Sequence, residues 1–244
     1  MSVVLVTGAS SGIGAAIAIA FAEDGWDVMA AGRDEGRLEE VADVSERIVT
    51  WAGELAEADD CDELVADTIE EFGEIDCLVN NAGIILRGTI GDTTDDDWRR
   101  TMSINLDVPF FLSRACLPYL LRAEGSIINI ASDWGLRGGE RAAAYCASKG
   151  GLVLLTKAMA RDHAGEGLCV NAICPGDVDT PMLTAEAEAE GMDIDEYMEA
   201  AAESVPSGRV AEPEEVASLA LFLASDAAAH INGTTIAIDG AGLA

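Results

Sequence analysis

Tyr145 and Lys149 stand four residues apart in an apolar, helix-prone segment that runs from Ala142 to about His163. Side chains four apart on a helix lie on the same face, so the phenol and the ammonium are expected to be neighbours. A free phenol has a pKa near ~10, and a nearby positive charge favours its phenolate form. Such a pair can exchange a proton with an alkoxide near neutral pH, which is general acid–base chemistry.

The same spacing would also arise from a core tyrosine beside a lysine whose stem is buried and whose ammonium reaches water. Tyrosine and lysine four residues apart are common in proteins, so the spacing alone favours that simpler interpretation. The chain, however, contains only two lysines, Lys149 and Lys157. A sequence that has almost abandoned lysine but keeps one at this position favours the chemical interpretation.

Composition limits the classes of function. The chain has 244 residues, half of them apolar, which is enough for a sizeable core. Its 14 Lys and Arg against 45 Asp and Glu give a net charge of −31. This charge disfavours binding to nucleic acid or to anionic membranes. The acids are spread between apolar segments, which indicates a solvated surface rather than a disordered acidic tail. We expect such a surface in a cytoplasm of molar salt, where the Debye length falls to ~3 Å.

Cysteine and histidine usage predicts no metal site. The six cysteines form no C-x-x-C pair, and the two histidines do not stand at metal-ligand spacing from them. Buried free thiols in a reducing compartment are therefore expected. The first strand-like run begins at Val3 without a charged leader, and no apolar run approaches ~20 residues. We expect a cytoplasmic protein with no membrane span.

The elements that would position Tyr145 and Lys149 alternate between two kinds. The β-rich runs are 2–7, 26–31, 46–51, 75–79, 125–131, 167–173 and 233–238. The helix-prone runs are 12–24, 35–44, 57–72, 95–122, 142–163 and 212–224. Strands without polar alternation, such as 126–130, indicate burial on both faces. The pattern predicts one α/β domain over 1–244: a doubly wound Rossmann-type parallel sheet of about seven strands, with helices on both faces. Ligands of that architecture bind at the carboxyl ends of the strands.

A glycine-rich segment follows the first strand, with the sequence Thr7-Gly8-Ala9-Ser10-Ser11-Gly12-Ile13-Gly14. Gly8 permits a tight turn, while Gly12 and Gly14 would let a pyrophosphate approach the backbone at the start of a helix. An ordinary glycine-rich turn is the alternative. The position at the first strand-to-helix junction favours dinucleotide binding.

The end of the second strand bears on the choice of cofactor. NAD-binding sheets place an acidic residue there for the adenosine ribose, but this chain has Gly32 followed by Arg33. A missing carboxylate plus a guanidinium favours a 2′-phosphate, hence NADP(H) over NAD(H). Alternatively, Arg33 is a surface residue paired with Asp34 or Glu35.

These features, taken in order, resemble the short-chain dehydrogenase/reductase family over the whole chain. The matching residues are Thr7 to Gly14, Asn80-Asn81-Ala82-Gly83, Asn105, Ser132, Tyr145, Lys149, Pro175-Gly176, Asn232-Gly233 and Asp239-Gly240. The resemblance implies an NAD(P)-dependent oxidoreductase that interconverts a secondary alcohol and a ketone by hydride transfer. It also implies a homotetramer, with a dimer as second choice.

The resemblance assigns four catalytic roles. Tyr145 would be the general acid/base, Lys149 would lower its pKa and hold ribose hydroxyls, and Ser132 would orient the carbonyl. Asn105, a poor residue for a helix interior, would interrupt its helix and hold a water that links Lys149 to solvent. Alternatively, Ser132 is only a turn-capping serine.

The remaining assignments concern the cofactor and the substrate. Cofactor contacts are expected, besides Tyr145 and Lys149, at Gly8, Ser10, Ser11, Gly12, Ile13, Gly14, Gly32, Arg33, Glu54, Leu55, Asn81, Ala82, Gly83, Pro175, Gly176, Val178 and Thr180. Glu54 departs from the aspartate that relatives often place there, and Asn80 is expected to be structural. Substrate contacts are expected at Ser132, Trp134, Arg137, Tyr145 and Met182.

The substrate itself is left between a sugar or polyol and a 3-oxoacyl compound. Asp133 and Glu140 could accept hydrogen bonds from a polyol. Arg137 or Arg141 could meet an anionic tail, or could equally form a rim ion pair. Residues 182–208 hold eight acids and no Lys or Arg, and relatives use this segment as a mobile lid. A pair of acidic surface helices is the alternative. Two rival functions also remain: a non-redox nucleotide-binding regulator or scaffold, and a dehydratase or epimerase.

Overall fold

Seven parallel strands form one sheet in the order β3-β2-β1-β4-β5-β6-β7. The computed structural model describes residues 2–244. The strands are β1 Val3–Thr7, β2 Asp27–Gly32, β3 Ile48–Ala52, β4 Cys77–Asn80, β5 Ser126–Ile130, β6 Cys169–Pro175 and β7 Thr235–Ile238. The doubly wound α/β sheet predicted from the alternation of elements is confirmed.

Helices cover both faces of this sheet. They are α1 Gly12–Glu23, α2 Glu35–Ala42, α3 Ala58–Phe72, α4 Asp95–Met102, α5 Val108–Ala123, α6 Ala143–His163, α7 Pro181–Glu190, α8 Ile194–Ser204 and α9 Pro213–Ala224. Within residues 2–244, no helix combines the length and the apolar character that crossing a membrane requires.

The central strands are buried on both faces because successive side chains point in opposite directions. In β1, Val4 and Val6 join the apolar cluster with α1, α2 and α9, whereas Leu5 joins the cluster with α3 and α5. All five residues of β1 and of β5 are buried. This two-sided burial explains why these strands lack polar alternation.

The structure departs from the predicted elements in two places. The helix expected over 95–122 is two helices, α4 and α5, separated by a π-helical turn at Ser103–Asp107. Residues 181–204 form the helix pair α7 and α8, neither of which was among the predicted helices. The acidic helix pair that stood as the alternative for 182–208 is therefore present.

Candidate active site

The helix α6 carries both Tyr145 and Lys149, and both side chains are buried. The Lys149 Nζ donates a hydrogen bond to the Ile130 carbonyl oxygen at 2.8 Å, at the end of β5. It lies 5.8 Å from the centroid of the Tyr145 ring. The ammonium is therefore near the phenol but is directed at the backbone of the sheet.

Burial dominates the protonation of this pair. Loss of solvation lowers the pKa of Lys149 to about 8. It raises the pKa of the Tyr145 phenol, which a hydrogen bond with Ser132 partly offsets and the charges of Glu186 and Asp133 raise further. The expected low pKa of the Tyr145 phenol is not found, because its low-dielectric environment disfavours the phenolate and burial dominates.

Ser132 follows β5 directly and serves two purposes. Its Oγ accepts a hydrogen bond from the Trp134 backbone N–H at 3.1 Å, which caps a short 3-10 turn. The same hydroxyl donates to Asp133 Oδ1 at 3.1 Å and reaches Tyr145. The capping role that stood as the alternative for this serine is present in the structure, and Ser132 also lines the cavity that contains Tyr145.

Asn105 lies inside the π-helical turn and is fully buried. Its Oδ1 accepts from the Ile84 N–H at 2.9 Å, and its Nδ2 donates to the Ile84 carbonyl at 2.9 Å and to Ser148 Oγ at 3.1 Å. A Cβ added at Gly83 would lie 3.3 Å from Lys149 Nζ and 3.4 Å from Asn105 Oδ1. The amide and the ammonium thus flank the same small space above Gly83.

The glycine loop is held in place by the segment after β4. The Thr7 hydroxyl accepts hydrogen bonds from the Asn81 and Ala82 N–H groups, both at 3.1 Å. Asn81 Nδ2 donates back to the Thr7 carbonyl at 2.9 Å. Gly8 has φ +66°, and a Cβ on Gly14 would lie 2.2 Å from the Gly8 carbonyl oxygen. Gly14 therefore allows α1 to contact the loop, rather than leaving room for a ligand as predicted.

Two adjoining cavities follow the carboxyl edge of the sheet. One, of about 220 Å³, is lined by most of the expected cofactor residues: Gly8, Ser10, Ser11, Gly12, Ile13, Gly32, Arg33, Glu54, Leu55, Asn81, Ala82, Gly83 and Thr180. The other, of about 120 Å³, is lined by Ser132, Trp134, Tyr145, Lys149, Pro175, Gly176, Val178 and Met182 among others. Ile13, Asn81, Gly83, Thr180 and Met182 belong to both walls. Neither wall includes Gly14, Asn105 or Arg137.

These cavities suit a dinucleotide. The N-terminus of α1 opens into the larger one, and its first turn holds no acidic side chain. Because free N–H groups and the helix dipole favour anions, a pyrophosphate fits this end. Tyr145 and Lys149 line the smaller cavity, which adjoins this one.

A family model described as enoyl-(acyl carrier protein) reductase matches residues 8–242. A meso-2,3-butanediol dehydrogenase of Serratia marcescens is 39% identical over 98% of this chain and 93% of its own length. The chain belongs to the short-chain dehydrogenase/reductase family. It is accordingly an oxidoreductase of the alcohol–ketone type that uses a nicotinamide cofactor.

Solved structures of the short-chain dehydrogenase/reductase fold superpose closely on this chain. The ligand-free aldohexose dehydrogenase of Thermoplasma acidophilum has a TM-score of 0.90 and 36% identity, covering 98% of this chain and 92% of that one. The actinorhodin polyketide ketoreductase with NADPH has a TM-score of 0.93 and 33% identity, covering 98% and 96%.

In this short-chain dehydrogenase/reductase, the end of β2 lacks a carboxylate. A Cβ on Gly32 would lie 3.2 Å from Ser10 Oγ, so a larger residue would crowd the loop. Arg33 is exposed and makes no ion pair within residues 2–244. Asp34 instead caps α2 through the Arg37 N–H at 3.1 Å and pairs with the Arg37 guanidinium at 3.4 Å. The alternative pairing of Arg33 with Asp34 is not what the structure shows.

Three charged residues of the smaller cavity were not predicted from the sequence: Arg87, Asp177 and Glu186. Arg87 Nε donates to Glu186 Oε2 at 2.8 Å, and its guanidinium carbon lies 4.6 Å from the Trp134 ring centroid. The pair is 99 positions apart in the chain, so spacing carried no signal for it. Arg137, expected at the substrate, instead pairs with the buried Asp133 at 2.8 Å. The rim ion pair that stood as the alternative is therefore present.

Proposed function

We propose that this protein interconverts a secondary alcohol and a ketone, with Tyr145 as the general acid/base. The observation that carries the proposal is the meeting of Tyr145, Ser132 and Lys149 in one cavity that adjoins the glycine loop. A nicotinamide cofactor, when bound, supplies or accepts the hydride. The protein's part is to bind, orient and move a proton.

The proton step follows from the protonation state of the phenol. Burial keeps Tyr145 protonated at neutral pH, because its pKa is raised. A ketone oxygen held by the Ser132 hydroxyl would receive that proton as negative charge develops on it. Lys149, fixed by the Ile130 carbonyl, would hold the ribose hydroxyls of the cofactor. Asn105 holds the π-helical turn against Ile84 through two hydrogen bonds. It would thereby fix the small space above Gly83 that Lys149 also borders.

The experiment is the substitution Tyr145→Phe, with Tyr119→Phe on α5 as the matched control. We expect turnover of a ketone panel to fall by at least ~10²-fold in Tyr145→Phe, the usual contribution of a general acid. Cofactor binding, followed by the fluorescence of the reduced nicotinamide, should persist. If Tyr145→Phe keeps near-full activity, the proposed mechanism fails.

We also propose that NADP(H) is preferred over NAD(H). An open depression adjoins the larger cavity at Ser10, Ser11 and Arg33, and its wall also includes Asp34, Glu35 and Arg37. In this proposal a 2′-phosphate would extend into the depression, beside Arg33. The guanidinium of Arg33 is free to form the bidentate pair that phosphate favours. We expect Arg33→Ala to lower kcat/KM with NADPH by ~10-fold or more and to leave NADH little changed. Arg99→Ala, on the exposed face of α4, is the control; an unchanged cofactor ratio in Arg33→Ala contradicts the preference.

We further propose that the protein is a homotetramer, with a homodimer as the second choice. Val108 and Leu120 of α5 are buried in this chain and belong to its own core. Phe110 on α5 is 43% exposed and Leu154 on α6 is 67% exposed, which supports a subunit contact on these two helices. Light scattering during size exclusion measures the mass, and Leu154→Glu should lower it.

A further inference from the structure

Two guanidinium groups lie beside the Tyr145 site, those of Arg137 and Arg87, and each is paired with a carboxylate. Arg137 and Asp133 form a pair at 2.8 Å in which the carboxylate side chain is only 8% exposed. Arg87 and Glu186 form a second pair, with side chains 19% and 11% exposed. An anionic substrate would therefore find both guanidinium charges already compensated by carboxylates. The ammonium of Lys149, also in this cavity, is directed at the Ile130 carbonyl.

Arg87 is also held from several sides. Its Nη1 donates to the Glu140 carbonyl at 3.1 Å, and its guanidinium stacks over the Trp134 ring. The Trp134 ring in turn meets the Tyr145 ring edge-to-face, with centroids 6.1 Å apart. Since Glu186 belongs to α7, these contacts connect α7 through Arg87 and Trp134 to Tyr145. Reorienting Arg87 toward a substrate would break all of these contacts.

Asp177 supplies the opposite feature, an acceptor without a partner. It follows β6 and lines the same cavity as Tyr145. Within residues 2–244 its carboxylate makes no hydrogen bond and no ion pair. A carboxylate in that state accepts a hydrogen bond from a hydroxyl group and repels a second negative charge.

The cavity beside Tyr145 measures about 120 Å³ and includes the segment expected to face the nicotinamide. It adjoins a wider depression of about 740 Å³, with which it shares Gly83, Ile85, Arg87, Met182 and Glu186. The chain charge of −31 disfavours acidic carriers.

We infer that the site takes a small, neutral ketone or alcohol that bears a further hydroxyl group, and that the Arg87–Glu186 pair, with Asp177, excludes anionic substrates. This inference rests on the proposed alcohol–ketone chemistry and decides between its two substrate classes, in favour of the polyol type. Glu186 and Asp177 are specificity-determining residues in it, and Arg87 is a positioning residue.

Three methyl ketones of matched size test the selection: 4-hydroxybutan-2-one, pentan-2-one and acetoacetate. They carry a hydroxyl, a methyl and a carboxylate at the same end. We expect the hydroxyketone to exceed both others in kcat/KM by ~10-fold or more, the order of one hydrogen bond to a carboxylate or of one uncompensated charge. Asp177→Ala should remove the advantage over pentan-2-one.

Glu186→Gln removes the negative charge of Glu186 but keeps its hydrogen bond, because the glutamine amide oxygen can still accept from the Arg87 guanidinium. This variant should improve acetoacetate relative to the hydroxyketone by ~10-fold or more, whereas Glu188→Gln, exposed on the same helix, should leave the ratio unchanged. Because the two kcat/KM values of one variant are compared with each other, any general loss of structure or activity cancels in their ratio. Equal use of acetoacetate by the unmodified enzyme, or an unmoved ratio in Glu186→Gln, overturns the inference.

Ligand-observed NMR on the cofactor-loaded protein ranks the binding of the same three compounds without turnover. If none of the three is reduced with either cofactor but the hydroxyketone alone binds, the proposed reaction fails and the inferred selection stands. If acetoacetate binds at least as well as the hydroxyketone, the selection fails whatever the turnover.

Discussion

Lys149→Met should change how the stability of this protein depends on pH. Lys149 is 4% exposed, and burial lowers its pKa from the ordinary 10.5 to about 8. Below pH 8 the lysine is protonated in both the folded and the unfolded state, and the buried charge destabilises the fold by about 3 kcal/mol. Between pH 8 and 10.5 the unfolded chain binds more protons than the folded one, so stability rises with pH through that window.

The size of the effect follows from the two pKa values. Between pH 7 and 9.5 the destabilising contribution of the ammonium falls by about 2 kcal/mol, which stabilises the unmodified protein by that amount. Methionine has a stem of similar shape and no charge to titrate. The difference in unfolding free energy between the unmodified protein and Lys149→Met should therefore shift by that amount in favour of the unmodified protein as pH rises.

Urea unfolding at fixed ionic strength and fixed protein concentration measures this difference at several pH values from 7 to 9.5. Other titrating groups, including Tyr145, are present in both proteins and largely cancel. Lys157→Met is the matched control, because Lys157 lies on the same helix and is exposed. The lowered pKa would be refuted if the difference in unfolding free energy between the unmodified protein and Lys149→Met stayed constant within ~0.5 kcal/mol from pH 7 to 9.5.

Three further outcomes are expected. Gly14→Ala should lose ~10-fold or more in cofactor affinity and destabilise the fold by about 1–3 kcal/mol, since its Cβ would meet the Gly8 carbonyl at 2.2 Å. Gly36→Ala on α2 should be neutral or stabilising, because its Cβ would make only an ordinary contact with Asp34 Oδ1 at 3.7 Å. Equal effects of the two substitutions in calorimetry would contradict the argument. Asn105→Ala leaves the Ile84 N–H and carbonyl without partners and should cost on the order of 3 kcal/mol in urea unfolding, so a loss below ~0.5 kcal/mol would count against it. Removing molar KCl should lower the melting temperature because the net charge of −31 is then unscreened, and equal melting with and without salt would contradict a high-salt adaptation.

The order of the elements and the edge that carries the site could be predicted because both depend on local pattern. Unbroken apolar strands such as β5 indicated burial on two faces, and parallel strands bring their carboxyl ends to one edge. Asn105 was marked as out of place in a helix, and the structure has a π-helical turn there. These features required no knowledge of contacts between distant residues.

The remainder depends on tertiary contacts that spacing does not contain. The Arg87–Glu186 pair joins a loop after β4 to α7, and neither residue belongs to a motif. The pKa of Tyr145 could not be predicted from its lysine neighbour, because burial outweighs one nearby charge and Lys149 is turned to the Ile130 carbonyl. Gly14 was predicted to let a pyrophosphate approach the backbone, whereas in the structure it allows α1 to pack against the Gly8 carbonyl. That contact exists only in the folded loop and cannot be read from the spacing of the glycines.

The scarcity of lysine has a practical consequence for handling the molecule. Of the two ε-amines in the sequence, that of Lys149 is buried against the sheet and that of Lys157 is in solvent. An amine-reactive dye or resin would therefore address the lysine side chains at a single point on α6, two helical turns from the active-site end. Attachment there would give a uniformly oriented, immobilised catalyst.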